Sequence, residues 1–221
     1  MTGARSPRDP CVYPRRVSAG VLTDANVLYS RTLRDWICLL AFRKAPMFHL
    51  RWTEDILAEL VYHIRKKHPH YSDAQVGGIR DRIIAVAPHG RIKGYVIDSD
   101  LAYTDDYDAH LHAAAEHGGV QYVVTDDKRF LDFAEANDEI LTYEVYTADD
   151  FLMLVNQSSP AAVREVLLEQ IDYHRRRGGA FNLPASLEAS GATQFAQVIR
   201  EMMRSRAVAE ALARPLTATA E

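Results

Sequence analysis

Cysteine is nearly missing: only Cys11 and Cys38 occur, and they form neither a C-x-x-C pair nor a zinc spacing. A disulfide framework is excluded, and a reducing compartment, the cytoplasm, is expected. No run approaches about 18 consecutive apolar residues, and the N-terminus lacks the apolar core of a signal peptide, so neither membrane insertion nor export is expected. The glycines never assemble into G-x-x-x-x-G-K or G-x-G-x-x-G, which argues against P-loop and dinucleotide chemistry. His110, His112 and His117 stand without an H-E-x-x-H or a Cys/His framework, so zinc chemistry is not expected. Internal repeats and low-complexity tracts are also missing. The formal charge of −4 speaks against a wholesale polyanion binder while leaving room for local basic patches.

What is present is apolar: 48% of the 221 residues are hydrophobic, enough for a full core, and disorder throughout is excluded. The stretch Gly119 to Phe130, GVQYVVTDDKRF, organises the chain. Its β-branched and aromatic run Val120 to Val124 reads as a buried strand that stops at Thr125, Asp126 and Asp127, where a polar turn feeds a helix. Gly20 to Thr23 repeats the arrangement earlier, followed by Asp24, Ala25 and Asn26. In an open α/β sheet, ligands bind at the carboxyl ends of parallel strands, so both acidic turns are expected to line one crevice.

Residues 1–18 mix Gly, Pro, Ser and arginine, as a flexible basic arm would. Thr32 to Arg43 predicts a helix with Leu33, Trp36, Ile37 and Leu40 on its inner face. Phe48 to Trp52 reads as a short strand. Thr53 caps a helix that runs to about His68 with Ile56, Leu57, Leu60, Val61 and Ile64 on one face and Glu59 on its flank. Ser72 caps a further helix. Gly94 to Ile97 is a third strand candidate, and the acids Asp105, Asp106 and Asp108 open the alanine-rich helix His110 to Glu116. Helix Phe130 to Ala136, strand Leu141 to Tyr146 and helix Phe151 to Val155 follow. Beyond Asn156 strand signals end, and Pro160 to Arg175 and Thr193 to Ala213 read as helices. The expected division is therefore an arm at 1–18, an α/β catalytic domain at 19–156 and a helical extension at 157–221.

Four acids, Asp24, Glu59, Asp108 and Asp127, fall where separate segments enter the expected crevice. Converging carboxylates repel one another unless a cation neutralises them, so the set implies a metal. Hard oxygen donors in this number suit Mg²⁺ or Mn²⁺, which can activate a water and neutralise charge in phosphodiester cleavage.

The motifs Thr23-Asp24-Ala25-Asn26-Val27-Leu28-Tyr29, Leu33-Arg34-Asp35, Trp52 to Glu59, Asp105-Asp106-Tyr107-Asp108-Ala109-His110 and Val123 to Lys128 follow one another over residues 20–155. In this order and spacing they resemble a PIN-domain protein of the VapC-type toxin group, within a bacterial branch that carries a C-terminal helical extension. The resemblance implies a PIN-like (Rossmann-like), mostly parallel sheet flanked by helices, with a C-terminal helical appendage. It implies a hydrolase as well: a metal-dependent endoribonuclease inhibited by a cognate antitoxin. Position by position, Asp24, Glu59, Asp108 and Asp127 match the acidic metal-site residues, and Asn26 and Thr125 the polar ones that support them. Asp105 and Asp126 are further supporting candidates. Arg129 stands where the family often has an acid.

Each motif alone has a plainer reading: Asp126 and Asp127 as a strand stop and helix cap, Asp24-x-Asn26 as a turn, Glu59 as a solvated helix residue. An acidic crevice repels phosphate, so an RNA substrate needs local cations, for which Arg31, Arg34, Lys128 and Arg129 are the candidates. The expected partners are RNA, the antitoxin and, as an option, a second copy of the chain, with no membrane. The competing function is a non-catalytic nucleic-acid or protein-binding module on the same fold. A Rossmann-like phosphatase is disfavoured because Asp24-Ala25-Asn26 lacks a second acid two residues after the first.

Overall fold

The computed structural model describes residues 19–97, 109–178 and 181–213. The proposed arm, residues 98–108 with Asp105, Asp106 and Asp108, and the tail from 214 lie outside the described residues. The chain runs β1 (Ala19–Thr23), α1 (Ala25–Tyr29), α2 (Arg31–Ala41), β2 (Phe48–Arg51), α3 (Glu54–Lys67), α4 (Asp73–Val86) and α5 (Ala109–Gly118). It continues with β3 (Tyr122–Val124), α6 (Lys128–Ala136), β4 (Glu144–Tyr146), α7 (Ala148–Ser158), α8 (Pro160–Arg177), α9 (Leu183–Glu188), α10 (Thr193–Arg204) and α11 (Arg206–Ala213).

The strands form one parallel sheet in the order β2-β1-β3-β4. A parallel sheet is covered on both faces, which is why β1 and β3 are apolar without alternation: Val21, Leu22, Val123 and Val124 are all fully buried. The sequence expectation of a mostly parallel sheet flanked by helices is met. The chain leaves β1 towards β2 on one side and finds β3 on the other, so the order reverses between β1 and β3. That switch point opens the crevice at which an α/β sheet binds its ligand. Register carries Thr23 beside Val124, so the residues that follow each strand, Asp24 and Thr125, emerge side by side.

Helix starts follow local chemistry. Ser30, Thr53, Ser72, Thr147 and Ser159 each accept a backbone N–H in the first turn of the helix they cap, and Ser72 forms a full capping box with Gln75. Trp36 and Trp52 are both buried, and the Trp52 indole donates to the Ala87 carbonyl at 2.9 Å.

Two expectations are corrected. Gly94 to Ile97 forms no strand: Gly94 takes the left-handed conformation (φ +80°), Val96 is 86% exposed, and parallel pairing ends at the Trp52–Arg91 bridge. A β-branched run without a neighbouring strand has nothing to pair with, and here the Tyr95 hydroxyl instead donates to the Asp55 carboxylate at the start of α3. The helix expected over Thr193 to Ala213 is broken at Ser205, whose extended backbone (ψ 145°) separates α10 from α11.

The C-terminal helices share the core of the sheet. Val163, Val166, Leu167, Ile171, Phe195 and Ile199 belong to the same buried cluster as β1 and β3. The Phe195 ring meets Trp36 edge-on at 4.9 Å. Asp149 of α7 receives the Gln194 and Phe195 backbone N–H groups, both at 2.9 Å, and so caps α10 from another helix.

Candidate active site

Asp24 is the buried acid of the crevice, with 7% of its surface exposed. It leaves β1 in extended conformation, its backbone N–H donating to the Val124 carbonyl at 2.9 Å. One carboxylate oxygen accepts the Ala25 backbone N–H at 2.5 Å, and the other accepts the Thr125 hydroxyl at 2.7 Å. Thr125, fully buried, also receives the Asn26 amide and the Asp127 backbone N–H, each at 3.1 Å. A single hydroxyl therefore ties the end of β1, the first turn of α1 and the turn after β3 together. Asn26 completes the link, its Oδ1 accepting the Asp126 backbone N–H at 3.3 Å.

Burial pushes the Asp24 carboxyl up to about 6, and the charge of Glu59 pushes the same way, against the Thr125 and Ala25 hydrogen bonds and the nearby His110. Asp24 and Glu59 thus face one another's field although 35 residues of sequence separate them. Glu59 stands on the flank of α3, part exposed, with the His63 ring nitrogen one turn on at 3.2 Å. His110 opens α5, and its buried Nε2 has no hydrogen-bond partner among the described residues. The sequence reading weighed His110 only for zinc and passed over His63. The signal for the first is its place two residues after Asp108, and for the second its i+4 spacing from Glu59.

Asp127 caps α6, its Oδ1 accepting the Arg129 and Phe130 backbone N–H groups at 2.7 and 3.4 Å. The Asp126 carboxylate accepts the Ala148 backbone N–H at 2.8 Å at the start of α7, and its pKa is raised, first by burial. Among the RNA-contact candidates, Lys128 is held by Asp132 at 2.7 Å and its pKa is raised by that hydrogen bond. Arg129 is exposed. Arg31 is exposed with Asp35 at 3.5 Å, and Arg34 is buried, donating to the Leu28 carbonyl at 2.7 Å.

Residues 20–129 match the PIN domain family. The chain carries a PIN domain. No curated protein and no solved structure matches it. PIN domains are generally nucleases and typically use divalent metal ions, so this PIN domain has a nuclease fold. The donor chemistry of its crevice fits such an ion: a desolvated carboxylate in the field of a second carboxylate is a site whose charge a cation would offset. Among the described residues no group of three or more His, Cys, Asp or Glu side chains is close enough to enclose an ion, and the Asp105 to Asp108 stretch lies outside them. No described helix is long and apolar enough to cross a membrane.

Proposed function

We propose that the protein is an endoribonuclease that hydrolyses RNA phosphodiester bonds with Mg²⁺ or Mn²⁺, and that it acts as the toxin of a toxin–antitoxin pair. The observation that carries the activity is the buried Asp24 carboxylate at the β1/β3 switch point, fixed by Thr125 and lying in the field of Glu59. Asp24, Glu59 and Asp127, with Asp108, would hold the ion. When bound, a hard divalent ion activates water and neutralises charge on the phosphate.

The remaining work belongs to side chains. Thr125 locks the Asp24 carboxylate in one orientation, and Asn26 braces Thr125 and the following turn. Asp127 is anchored by the first turn of α6, so it presents its second oxygen from a rigid position. Fixed carboxylates of this kind cost no reorganisation when charge develops. The toxin role is supported by the motif order over residues 20–155, which resembles the VapC-type group and brings with it a cognate antitoxin and, as an option, a second copy of the chain.

The activity is tested by cleavage of single-stranded RNA against Mn²⁺ concentration. Asp24→Asn and Asp127→Asn keep the side-chain shape, and each should lower the rate by about 10²-fold or more. Undiminished cleavage by both would overturn the assignment. The toxin role is tested by whether a small open reading frame for a DNA-binding protein adjoins the gene and whether its product blocks cleavage.

A further inference from the structure

A second concave surface lies beside the crevice: an open groove of about 1500 Å³ between α2, α3, α4 and α8. Much of one wall comes from Gln170, Tyr173, His174 and Arg177 of α8 and from Ser190, all beyond the PIN match at residues 20–129. It is cationic on an acidic chain. Among the described residues, Arg31, Arg34, Lys67, Arg82 and Arg177 line it against two acids, Asp35 and Glu169. Glu169 is already turned to Arg43, at 2.7 Å, and Asp35 to Arg31, at 3.5 Å. Arg34, Lys67, Arg82 and Arg177 make no ion pair among the described residues. The Arg34 guanidinium has its pKa lowered by burial, with the positive charges of Arg82 and Arg31 acting in the same direction. Like charges left facing one space are a site for an anion.

Aromatic rings alternate with these cations. Tyr29, Tyr71 and Tyr173 line the groove, with Lys67 over the Tyr29 ring at 5.3 Å and Arg177 over the Tyr173 ring at 4.7 Å. Tyr173 is 44% exposed, as a stacking platform must be. Gln170 adds an independent sign of a ligand. It is 7% exposed and lines the groove, and its buried amide nitrogen has no acceptor among the described residues. A buried donor without a partner is costly unless a bound molecule supplies the acceptor.

Tyr29 links the groove to the acidic crevice. Tyr29 ends the single turn of helix that starts after Asp24, and its ring meets His63, which is bonded to Glu59. Five helical residues span only about 7 Å. From the nuclease reading, on which the choice of nucleic acid rests, we propose that this groove is an RNA-binding track in which single-stranded RNA running out of the crevice lays its phosphates on Lys67, Arg82 and Arg177 and stacks its bases on Tyr29 and Tyr173. Duplex RNA, whose bases are already stacked, gains nothing from the tyrosines. The C-terminal helices thereby belong to substrate selection.

The test is the affinity of the full chain for a labelled single-stranded oligoribonucleotide of about 12 nucleotides, by fluorescence anisotropy with chelator present. The Arg82→Ala, Arg177→Ala variant alters two exposed side chains. It should bind about 10-fold more weakly, with a salt slope flatter by about 1.4, the contribution of two phosphates on a single strand. Tyr173→Leu should also weaken binding, while leaving the slope unchanged. With Mn²⁺, the arginine variant should raise KM on the oligonucleotide at constant kcat and leave cleavage of a dinucleotide, too short to reach the groove, as in the wild type. Unchanged affinity and slope in the arginine variant overturn the track, as does a polyglutamate peptide that competes as well as RNA, which would make the groove a site for an acidic protein. RNA that binds through the groove and is never cut upholds the track and overturns the nuclease reading instead.

Discussion

Replacing Asp24 by Asn should make the metal-free protein more stable at neutral pH. The buried carboxyl titrates at about 6 in the folded chain against an ordinary value of 3.8. With the folded value raised, the folded state binds the proton more tightly than the unfolded one. The stability associated with that proton is fully present below about pH 3.8 and is lost as pH rises through about 6. At pH 7 the loss amounts to about 3 kcal/mol for a side chain this deeply buried. Asn removes the charge and with it that loss, but the Thr125 hydroxyl gives up its charged acceptor, which costs about 1 kcal/mol. The variant should therefore gain about 2 kcal/mol at pH 7, and the gap should narrow by about 1.5 kcal/mol on going from about pH 7.5 to about pH 5. Urea unfolding of both proteins in chelator at several pH values measures it. Parallel stability curves would mean that Asp24 is solvated in solution, and the electrostatic account of the crevice would be wrong.

Adding Mn²⁺ should reverse that order: at about 100 times its dissociation constant the ion stabilises the wild type by roughly 2.7 kcal/mol, and an Asp24→Asn, Asp108→Asn variant should lose most of the shift in melting temperature. An equal shift in both proteins would place the ion elsewhere. Thr125→Val, which removes the hydroxyl that orients Asp24, should weaken Mn²⁺ binding about 10- to 100-fold, and Thr125→Ser should restore it; calorimetric titration separates the two. Phe195→Ala, at a fully buried ring against Trp36, should cost about 3 to 5 kcal/mol in one cooperative transition, because α10 shares the core of the sheet. A separate early melting of the C-terminal helices would contradict that shared core.

Strand-and-acid patterning made the central architecture legible. Gly20 to Thr23 and Val120 to Val124 could be recognised because strands buried on both faces are rich in apolar and β-branched residues, and Asp24 and Thr125 stand where those runs stop. Some helices announced themselves through caps, Thr53 and Ser72 among them, whose side chains act on residues only three positions away. Local chemistry of that range is written in local sequence. Gly94 to Ile97 misled for the converse reason: a strand exists only with a partner, and no local signal says whether one arrives.

The tertiary structure alone decided what meets across the chain. The hydroxyl of Thr125 reaches Asp24 across 101 positions, a bond that depends on β1 and β3 being neighbours in register. Asp149 lies in the first turn of α7, yet its carboxylate caps α10 more than forty residues on. The pattern change after Asn156 marked off the C-terminal helices, and the fold shows that Phe195 and Leu167 pack into the same buried cluster as the sheet. Arg34 and Arg177 have no sequence relation that would place them on one groove; α2 and α8 bring them there. Residue type fixes what a side chain can do within a turn or two of its own backbone, and burial, charge compensation and shared ligands depend on which distant segments the fold lays beside it.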